Sequence, residues 1–586
     1  MASANEAVAG LLNEYAELLQ ITGGDPFRAR NYQKAARSVA GHPGSVEGLD
    51  EKGLKAIPGV GASIAAKIAE FNATGTIAAL EELRGSIPEG VRDLTRIPGL
   101  GPKRALQLSR ELDIHTVDDL EQAAKAGSLD KLAGFGPKSA ERVLHGIEVY
   151  RQGHDRVLQD VALETATTII ERLKDVPGCQ RIAYAGSLRR WRETIGDVDI
   201  LAAAQEPEPL MDAFRAFGEV IVSGPTKTSI RFGYDNSKKR LLQVDLRVVK
   251  LDAWGAALQY FTGSQAHNVA TRQIAVRKKL KLSEYGLFRV AGEEGQTDEL
   301  IVSRTEEEVY ARLGLQWIPP AMREDRGEVE AAARGEIPRL VMTEDLKGDL
   351  HTHTNLTDGV ASLADMVKAA EQRGYEYYAV TDHAPDLIMQ RMTDEKMLAQ
   401  REQVRALETT LTLLHGTELN IAPDGSVDWE EDFLSGFDIC VASVHSHFDQ
   451  SRAEMTRRFI RACENPRVHV IGHPTARRIG KRAGVDVDFA ELFRAAARTG
   501  TALEINASPQ RLDLPSGHVK AARDAGVKFA IDSDAHSVPN LANMPYGVGA
   551  AQRGWLTPDD VINTWPLARL REFLRKNRLV SRPRPV

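Results

Sequence analysis

Cysteine is nearly absent from this chain. Cys179, Cys440 and Cys463 are the only three in 586 residues, an odd and scattered set. That excludes a disulfide framework and a thiolate metal site, and it suits a reducing compartment. Also missing is any run approaching the ~20 apolar residues that span a bilayer. The start, MASANEAVAG, has neither the charged beginning nor the apolar stretch of a secretory signal, so the expected location is the cytoplasm. An excess of positive charge is lacking too: 75 Lys and Arg stand against 82 Asp and Glu, for a net charge of −7. Overall charge thus gives no hint of nucleic acid, and only the local clusters TRQIAVRKKLKL (271–282) and TARRIGKRAG (475–484) lend it support. What remains is the composition of a globular protein, 42% hydrophobic and 27% charged. The length exceeds what one core can serve, so about three or four domains are expected.

The N-terminal part is helical in pattern, and it repeats. AIPGVGASIAAKI (56–68), RIPGLGPKRALQL (96–108) and KLAGFGPKSAERV (131–143) each join an apolar residue to Gly-x-Gly and then open an amphipathic helix. Glycine permits a tight turn with the backbone close to a ligand. The amides at the following helix N-terminus then face an anion. Gly59 and Gly61, Gly99 and Gly101, and Gly134 and Gly136 are the candidate phosphate contacts. The pattern resembles the helix–hairpin–helix motif, which grips DNA backbone without reading bases.

From about residue 150 strands alternate with helices. In AYAGSLRRWRETIGDVDIL (183–201), Asp197 and Asp199 alternate with Val198 and Ile200 and so share one face of a strand. LLQVDLRVV (241–249) places Asp245 on a second alternating strand. Three carboxylates on adjacent strands suit two divalent cations ~3.5–4 Å apart, one beside a 3′-hydroxyl and one on a triphosphate. Mg²⁺ or Mn²⁺ is the expected metal, since Mg²⁺ favours carboxylates plus phosphates over all-protein cages. Gly186 and Ser187 form a turn able to offer donors to phosphates, Arg190 adds a charged partner, and Gly196 precedes the first carboxylate.

Here the chain resembles a family, the family X DNA polymerases that include polymerase beta, over roughly residues 1–317. The resemblance rests on the hairpins, the Gly-Ser…Gly-Asp-Val-Asp motif and QYFTGSQAHNVATR (259–272). It implies an α-helical lyase-like domain (1–85), helix–hairpin–helix fingers (86–150), an α+β nucleotidyltransferase palm (151–262) and a thumb (263–317). It further implies that Tyr260, Phe261 and Gly263 lie beside the incoming sugar, and that Asn268 and Arg272 contact the nascent pair and template. Two positions depart from the vertebrate pattern. Gln265 stands in place of an acidic residue, and Ser63 in place of a lysine that assists 5′-phosphate binding. Lys67 matches the Schiff-base lysine of the lyase step and is the candidate nucleophile there. The resemblance implies deoxynucleoside triphosphates and gapped or primer–template DNA as partners, and the expected state is a monomer.

Residues 318–340, with Pro319-Pro320, charge and alanine, read as a linker. Beyond it, short apolar strands alternate with helices, as in an α/β barrel. Polar residues stand at the ends of the apolar runs. KGDLHTHTNLTDG supplies His351, His353 and Asp358, and YYAVTDHA supplies His383. GTELN gives Glu418, VASVHSH gives His445, VHVIGHP gives His473, and FAIDSDAH gives Asp534 and His536. Strand C-terminal ends are where barrel active sites assemble. Imidazole and carboxylate without thiolate point to two or three Mn²⁺, Zn²⁺ or Fe ions, with Glu418 as a bridge. His415, His447 and His469 lack the position or the partner and are left out. This part (341–586) resembles the PHP (polymerase and histidinol phosphatase) domain, a distorted (β/α)7 barrel, with all nine ligand positions filled. Arg477 and Arg478 are candidate phosphate contacts. Asn420 stands where related sequences often carry Asp and is expected to matter little.

The resemblance as a whole implies a bacterial, nucleoid-associated repair polymerase. It would fill short gaps in base excision repair, with a 3′–5′ exonuclease able to process abasic or blocked ends. The alternatives are a PHP domain that is only structural, an untemplated nucleotidyltransferase, and a small-molecule phosphatase.

Overall fold

A computed structural model describes residues 4–576 apart from 41, 43–44, 88–89, 96, 98–99, 101, 133–134, 136–139, 141–142, 145, 148–155, 235–240, 291–297, 388–389 and 391. Among the described residues no helix is long and apolar enough to cross a membrane. The N-terminal part is all helix. One hydrophobic cluster runs through it from Val8 to Ile147. The helix Ala4–Ile21 packs on both Pro26–Ala40 and Pro102–Leu112, so the lyase-like and fingers segments share a core.

The palm is a five-stranded sheet with strands β1 (Cys179–Tyr184), β2 (Asp197–Ala204), β3 (Glu219–Ser223), β4 (Lys227–Gly233) and β5 (Leu241–Val249), in the order β1-β2-β5-β4-β3. Only β2 and β5 run parallel; the other pairs are antiparallel. Val198, Ile200 and Ala202 of β2 are buried under the helix Gln159–Leu173. Burying one face of β2 leaves Asp197 and Asp199 on the other.

The helix Trp254–Thr262 leads from the palm into the thumb, where the helices Gln265–Arg277 and Glu306–Leu313 pack with a three-stranded sheet of β6 (Leu280–Ser283), β7 (Gly286–Arg289) and β8 (Glu299–Val302). The segment 318–340 connects thumb to barrel as a packed strap. Ile318, Met322 and Val329 join the thumb core, and Arg323 is fully buried. Arg323 donates Nη1 to Glu306 Oε1 at 2.6 Å and Nε to the Ile318 carbonyl at 2.8 Å. Glu306 also receives both Nη atoms of Arg189 from the palm, at 2.8 and 2.9 Å. Burial alone would raise the Glu306 carboxyl, but the two guanidiniums hold it well below the usual range. Removing Glu306 leaves the fully buried Arg323 charge unmatched. Glu306→Gln is therefore expected to destabilise the palm–thumb unit by ~3–5 kcal/mol, read as a lowered urea midpoint. Arg323→Ala, which leaves Glu306 paired with Arg189, should lose less.

The C-terminal part is a seven-stranded parallel sheet in sequence order: β9 (Gly348–Asp349), β10 (Tyr377–Val380), β11 (Thr412–Asn420), β12 (Ile439–Ser443), β13 (Val470–Ile471), β14 (Ala502–Asn506) and β15 (Phe529–Asp532). The last strand returns to the first. A bridge joins Thr352 to Ala535, and Asn563 donates Nδ2 to the carbonyls of Gly348 and Ile531. The result is a nearly closed (β/α)7 barrel, the fold class expected, with its strand C-terminal ends at one mouth.

Candidate active sites

In the palm, parallel pairing sets Asp199 opposite Asp245 and Asp197 opposite Gln243. Register decides this, because a one-residue slip would turn every side chain to the other face. Gly186 begins the short helix Gly186–Arg189, with φ at +59°. A Cβ there would strike the Asp199 carboxylate, so glycine lets the turn close on it. Ser187 follows in the same turn, and Gly196 lies against the Arg156 guanidinium. Lys227 stands 2.8 Å from Asp245 Oδ2, and Gln243 Nε2 donates to Oδ1 at 3.0 Å. Nothing in the strand pattern marks Lys227.

Burial, then the neighbouring Asp197 and Asp245, push the Asp199 carboxyl up to about 7. Between about 4 and 7 the folded protein thus holds a proton that the unfolded chain has lost. A divalent cation needs the anion. Mg²⁺ binding is expected to release close to one proton at about pH 6 and almost none at about pH 9. Calorimetric titrations in buffers of different ionisation enthalpy, against Asp199→Asn, measure this.

The residues expected beside the nucleotide come together at the end of the helix Trp254–Thr262. The rings of Tyr260 and Phe261 meet edge-on at 5.2 Å. Asn268 donates Nδ2 to the Tyr260 carbonyl at 2.7 Å and accepts from Gln259 at 2.9 Å, so its amide props the turn. Arg272 is exposed, with its guanidinium 5.7 Å from the Tyr260 ring centre. Gln265 is exposed at the start of the next helix. Arg190 donates Nη1 to the Thr262 carbonyl and lies against Gly263.

In the first hairpin Gly59 has φ +81°, and Gly61 caps the helix Ala62–Thr74. Gly99, Gly101, Gly134 and Gly136 lie outside the described residues. Lys67 Nζ is 3.4 Å from Ser63 Oγ and 5.4 and 5.9 Å from the Tyr15 and Tyr32 ring centres.

At the barrel mouth all nine sequence-selected residues converge. Eight fall into three groups whose nitrogen and oxygen atoms lie within 4.8 Å of one another: His353, Asp358, His383 and His536; His351, His353 and Asp534; His383, Glu418 and His445. The ninth, His473, sets Nε2 3.0 Å from Glu418 Oε1, and His445 Nε2 is 3.1 Å from the same oxygen. Glu418 Oε2 is 2.9 Å from His383 Nδ1 and 3.5 Å from His351 Nε2. Yet buried His383 Nδ1 and Asp358 Oδ1 make no hydrogen bond. His383 Nδ1 is 2.9 Å from Glu418 Oε2 and Asp358 Oδ1 is 3.3 Å from His383 Nε2, close but without hydrogen-bond geometry, as ligands of a shared cation are. Burial opposes their charge, but the surrounding imidazoles hold Asp358, Glu418 and Asp534 well below the usual carboxylate range. Burial and Arg511 push His473 down to about 3, leaving it neutral. Against burial, the carboxylates in turn raise His351, His383 and His536, so the mouth holds protons on these imidazoles that a divalent ion would displace on binding.

Sequence reasoning missed the groups that aim these ligands. Glu504 Oε1 accepts a hydrogen bond from His351 Nδ1 at 2.7 Å, and its other oxygen accepts the His473 amide. Its signal was available: Glu504-Ile-Asn506 ends one strand as Glu418-Leu-Asn420 ends another. Asn420, expected to matter little, faces His445 Nδ1 through Oδ1 at 2.7 Å and so orients it. Arg477 does not reach the metal groups. It donates to the carbonyls of Arg511 and Leu512 and pairs with Glu193 at 3.0 Å. The Arg478 amide bonds the Arg482 carbonyl in a local turn. The three histidines left out stay apart: His415 stacks on Phe437, His469 accepts the Cys440 amide, and His447 is exposed.

Fold and sites together define a nucleotidyltransferase palm joined to a barrel of the metal-dependent phosphoesterase kind. Comparison with known proteins narrows this. Residues 3–77 match the helix-hairpin-helix domain family, 91–148 the SAM-like helix-hairpin-helix tandem, 257–324 the DNA polymerase beta thumb and 349–508 the PHP domain. The chain is 35% identical over 576 residues to "DNA polymerase/3'-5' exonuclease PolX" of Bacillus subtilis (strain 168), covering 97% of this chain and 98% of that protein. Rat DNA polymerase lambda is 26% identical over 323 residues, 51% of this chain and 53% of its own. A "Probable phosphatase" of Shewanella sediminis matches 241 residues at 30%, 39% of this chain and 93% of its own. The chain belongs to the family X DNA polymerases that carry a PHP domain.

Proposed function

We propose that the palm fills short DNA gaps in base excision repair by two-metal nucleotidyl transfer, and that the barrel trims the same strand as a 3′–5′ exonuclease. The observation that carries the reading is Asp199 facing Asp245 across parallel strands with Asp197 on the same face. Asp197, Asp199 and Asp245 would hold Mg²⁺ or Mn²⁺. The nine mouth residues would hold two or three Mn²⁺, Zn²⁺ or Fe ions. Bound there, such ions supply Lewis-acid stabilisation of charge on a reacting phosphate.

The chain's own residues do the rest. Gly186 and Ser187 receive the triphosphate and Arg190 balances its charge. Tyr260, Phe261 and Gly263 shape the sugar side, and Arg272 faces the template. Gly59 and Gly61 with their helix amides hold backbone phosphate. The Lys67 amine, beside the Tyr15 and Tyr32 rings, would form a Schiff base with a 5′-deoxyribose phosphate. At the barrel Glu504 and Asn420 fix two imidazoles so that a phosphodiester meets a preset surface, at abasic or blocked 3′ ends as well. The protein would act as a monomer in the bacterial cytoplasm, on nucleoid DNA.

An untemplated transferase has no need of the hairpin grip, and a purely structural barrel has no need of three intact ligand groups. Incorporation opposite each of the four template bases in a one-nucleotide gap tests the reading. Incorporation that ignores the template base would sink it.

A further inference from the structure

The turn that follows the phosphate cradle, residues 190–193, is gripped from outside the palm. Arg553, at the end of the barrel helix Met544–Arg553, donates Nη1 to the Arg190 carbonyl at 2.7 Å. The same nitrogen reaches Glu324 Oε1 at 2.8 Å. Trp191 covers Gly549 of that helix so closely that a Cβ at 549 would meet the indole at 2.5 Å. Arg477 of the barrel pairs with Glu193 at 3.0 Å. The Arg553 side chain is 3% exposed and that of Glu324 13%.

Glu324 is the shared element. Its Oε1 accepts Nε of Arg190 at 3.2 Å as well as Nη1 of Arg553, and Arg192 stands farther off at 3.9 Å. A largely buried carboxylate divided between two guanidiniums binds each less tightly than it would bind one alone. Removing Arg553 leaves Glu324 to draw on Arg190, the side chain resting on the Thr262–Gly263 turn. A guanidinium held harder by Glu324 is less available to a triphosphate.

We infer that Arg553, a residue of the barrel, is a positioning residue for nucleotide binding in the palm, acting through Glu324 on Arg190. The inference rests on the reading of Arg190 as a phosphate contact. It makes the barrel helix part of the polymerase in a way separate from the barrel's own metal groups, which Arg553 does not touch.

Steady-state kinetics on gapped DNA with the full chain tests it. Arg553→Met is expected to raise the KM for deoxynucleotide about tenfold, the size of one diverted charge-assisted hydrogen bond. Its kcat should stay within about twofold, because the three carboxylates are untouched. Primer trimming should be unchanged, which also reports a folded barrel. Adding Glu324→Gln should return KM towards the intact value, a rescue that simple loss of packing does not allow. Glu324→Gln alone, with unchanged primer trimming as the report of a folded barrel, should keep KM at or below the intact value. An unchanged KM in Arg553→Met, no rescue in the double variant, or a raised KM in Glu324→Gln overturns the inference. Arg190→Ala is the separate arm. If it fails to raise KM, the phosphate reading itself falls and takes the inference with it.

Discussion

Asp199→Ala is expected to lower templated incorporation at least about a thousandfold while leaving primer trimming intact. The size follows from the geometry. Asp199 is the middle carboxylate of the three, on the same strand as Asp197 and opposite Asp245. Without it no cation is shared across the pair of strands, and several kcal/mol of charge stabilisation is lost. Lys227 would then remain as the partner of Asp245 at 2.8 Å, a neutralised pair in place of a cation site. Single-turnover incorporation into a one-nucleotide gap reads the loss. Shortening of a 5′-labelled primer in Mn²⁺ without nucleotides reads what is kept. Loss of both activities would mean that the two sites do not act separately, and retained incorporation would remove Asp199 from the chemistry.

Glu418→Gln is expected to do the reverse. Primer shortening should fall at least about a thousandfold, with metal content reduced by at least one ion per chain and gap filling unchanged. One Glu418 oxygen faces His445 and His473 and the other faces His383 and His351, so it is the carboxylate common to both sides of the mouth. Glutamine keeps the shape but offers one neutral oxygen and a donor nitrogen, which cannot bridge. Elemental analysis of the purified variant beside the same 5′-labelled primer checks both effects. Full metal content with lost trimming would make Glu418 part of the chemistry without being a bridge. Retained trimming would remove the barrel mouth from the nuclease.

Chemistry-bearing residues at element ends were legible in the sequence because spacing reports facing directly. His351 and His353 are two apart on extended chain, and Asp197 and Asp199 likewise, so each pair shares a face in any fold that keeps the strand. Apolar runs that end in His, Glu or Asp announced a barrel mouth for the same reason. The groups that aim those ligands were harder to see. Asn420 and Glu504 act across strands, on His445 and on His351, and no local period records which strand lies beside which. Lys227 meets Asp245 only through antiparallel pairing.

The segment 318–340 shows the limit from another side. Its prolines and charges read as a connection between domains. But Arg323 within it is fully buried and pairs with Glu306, which takes Arg189 as well, three residues drawn from separate parts of the chain. The sequence by itself determined the domain kinds, the family and the ligand types, because these rest on residues close together along the chain. Only the tertiary structure decided that Glu324 is shared between Arg190 of the palm and Arg553 of the barrel. That pairing joins residues hundreds of positions apart, and close packing of two folded bodies, which no local pattern encodes, brings them together.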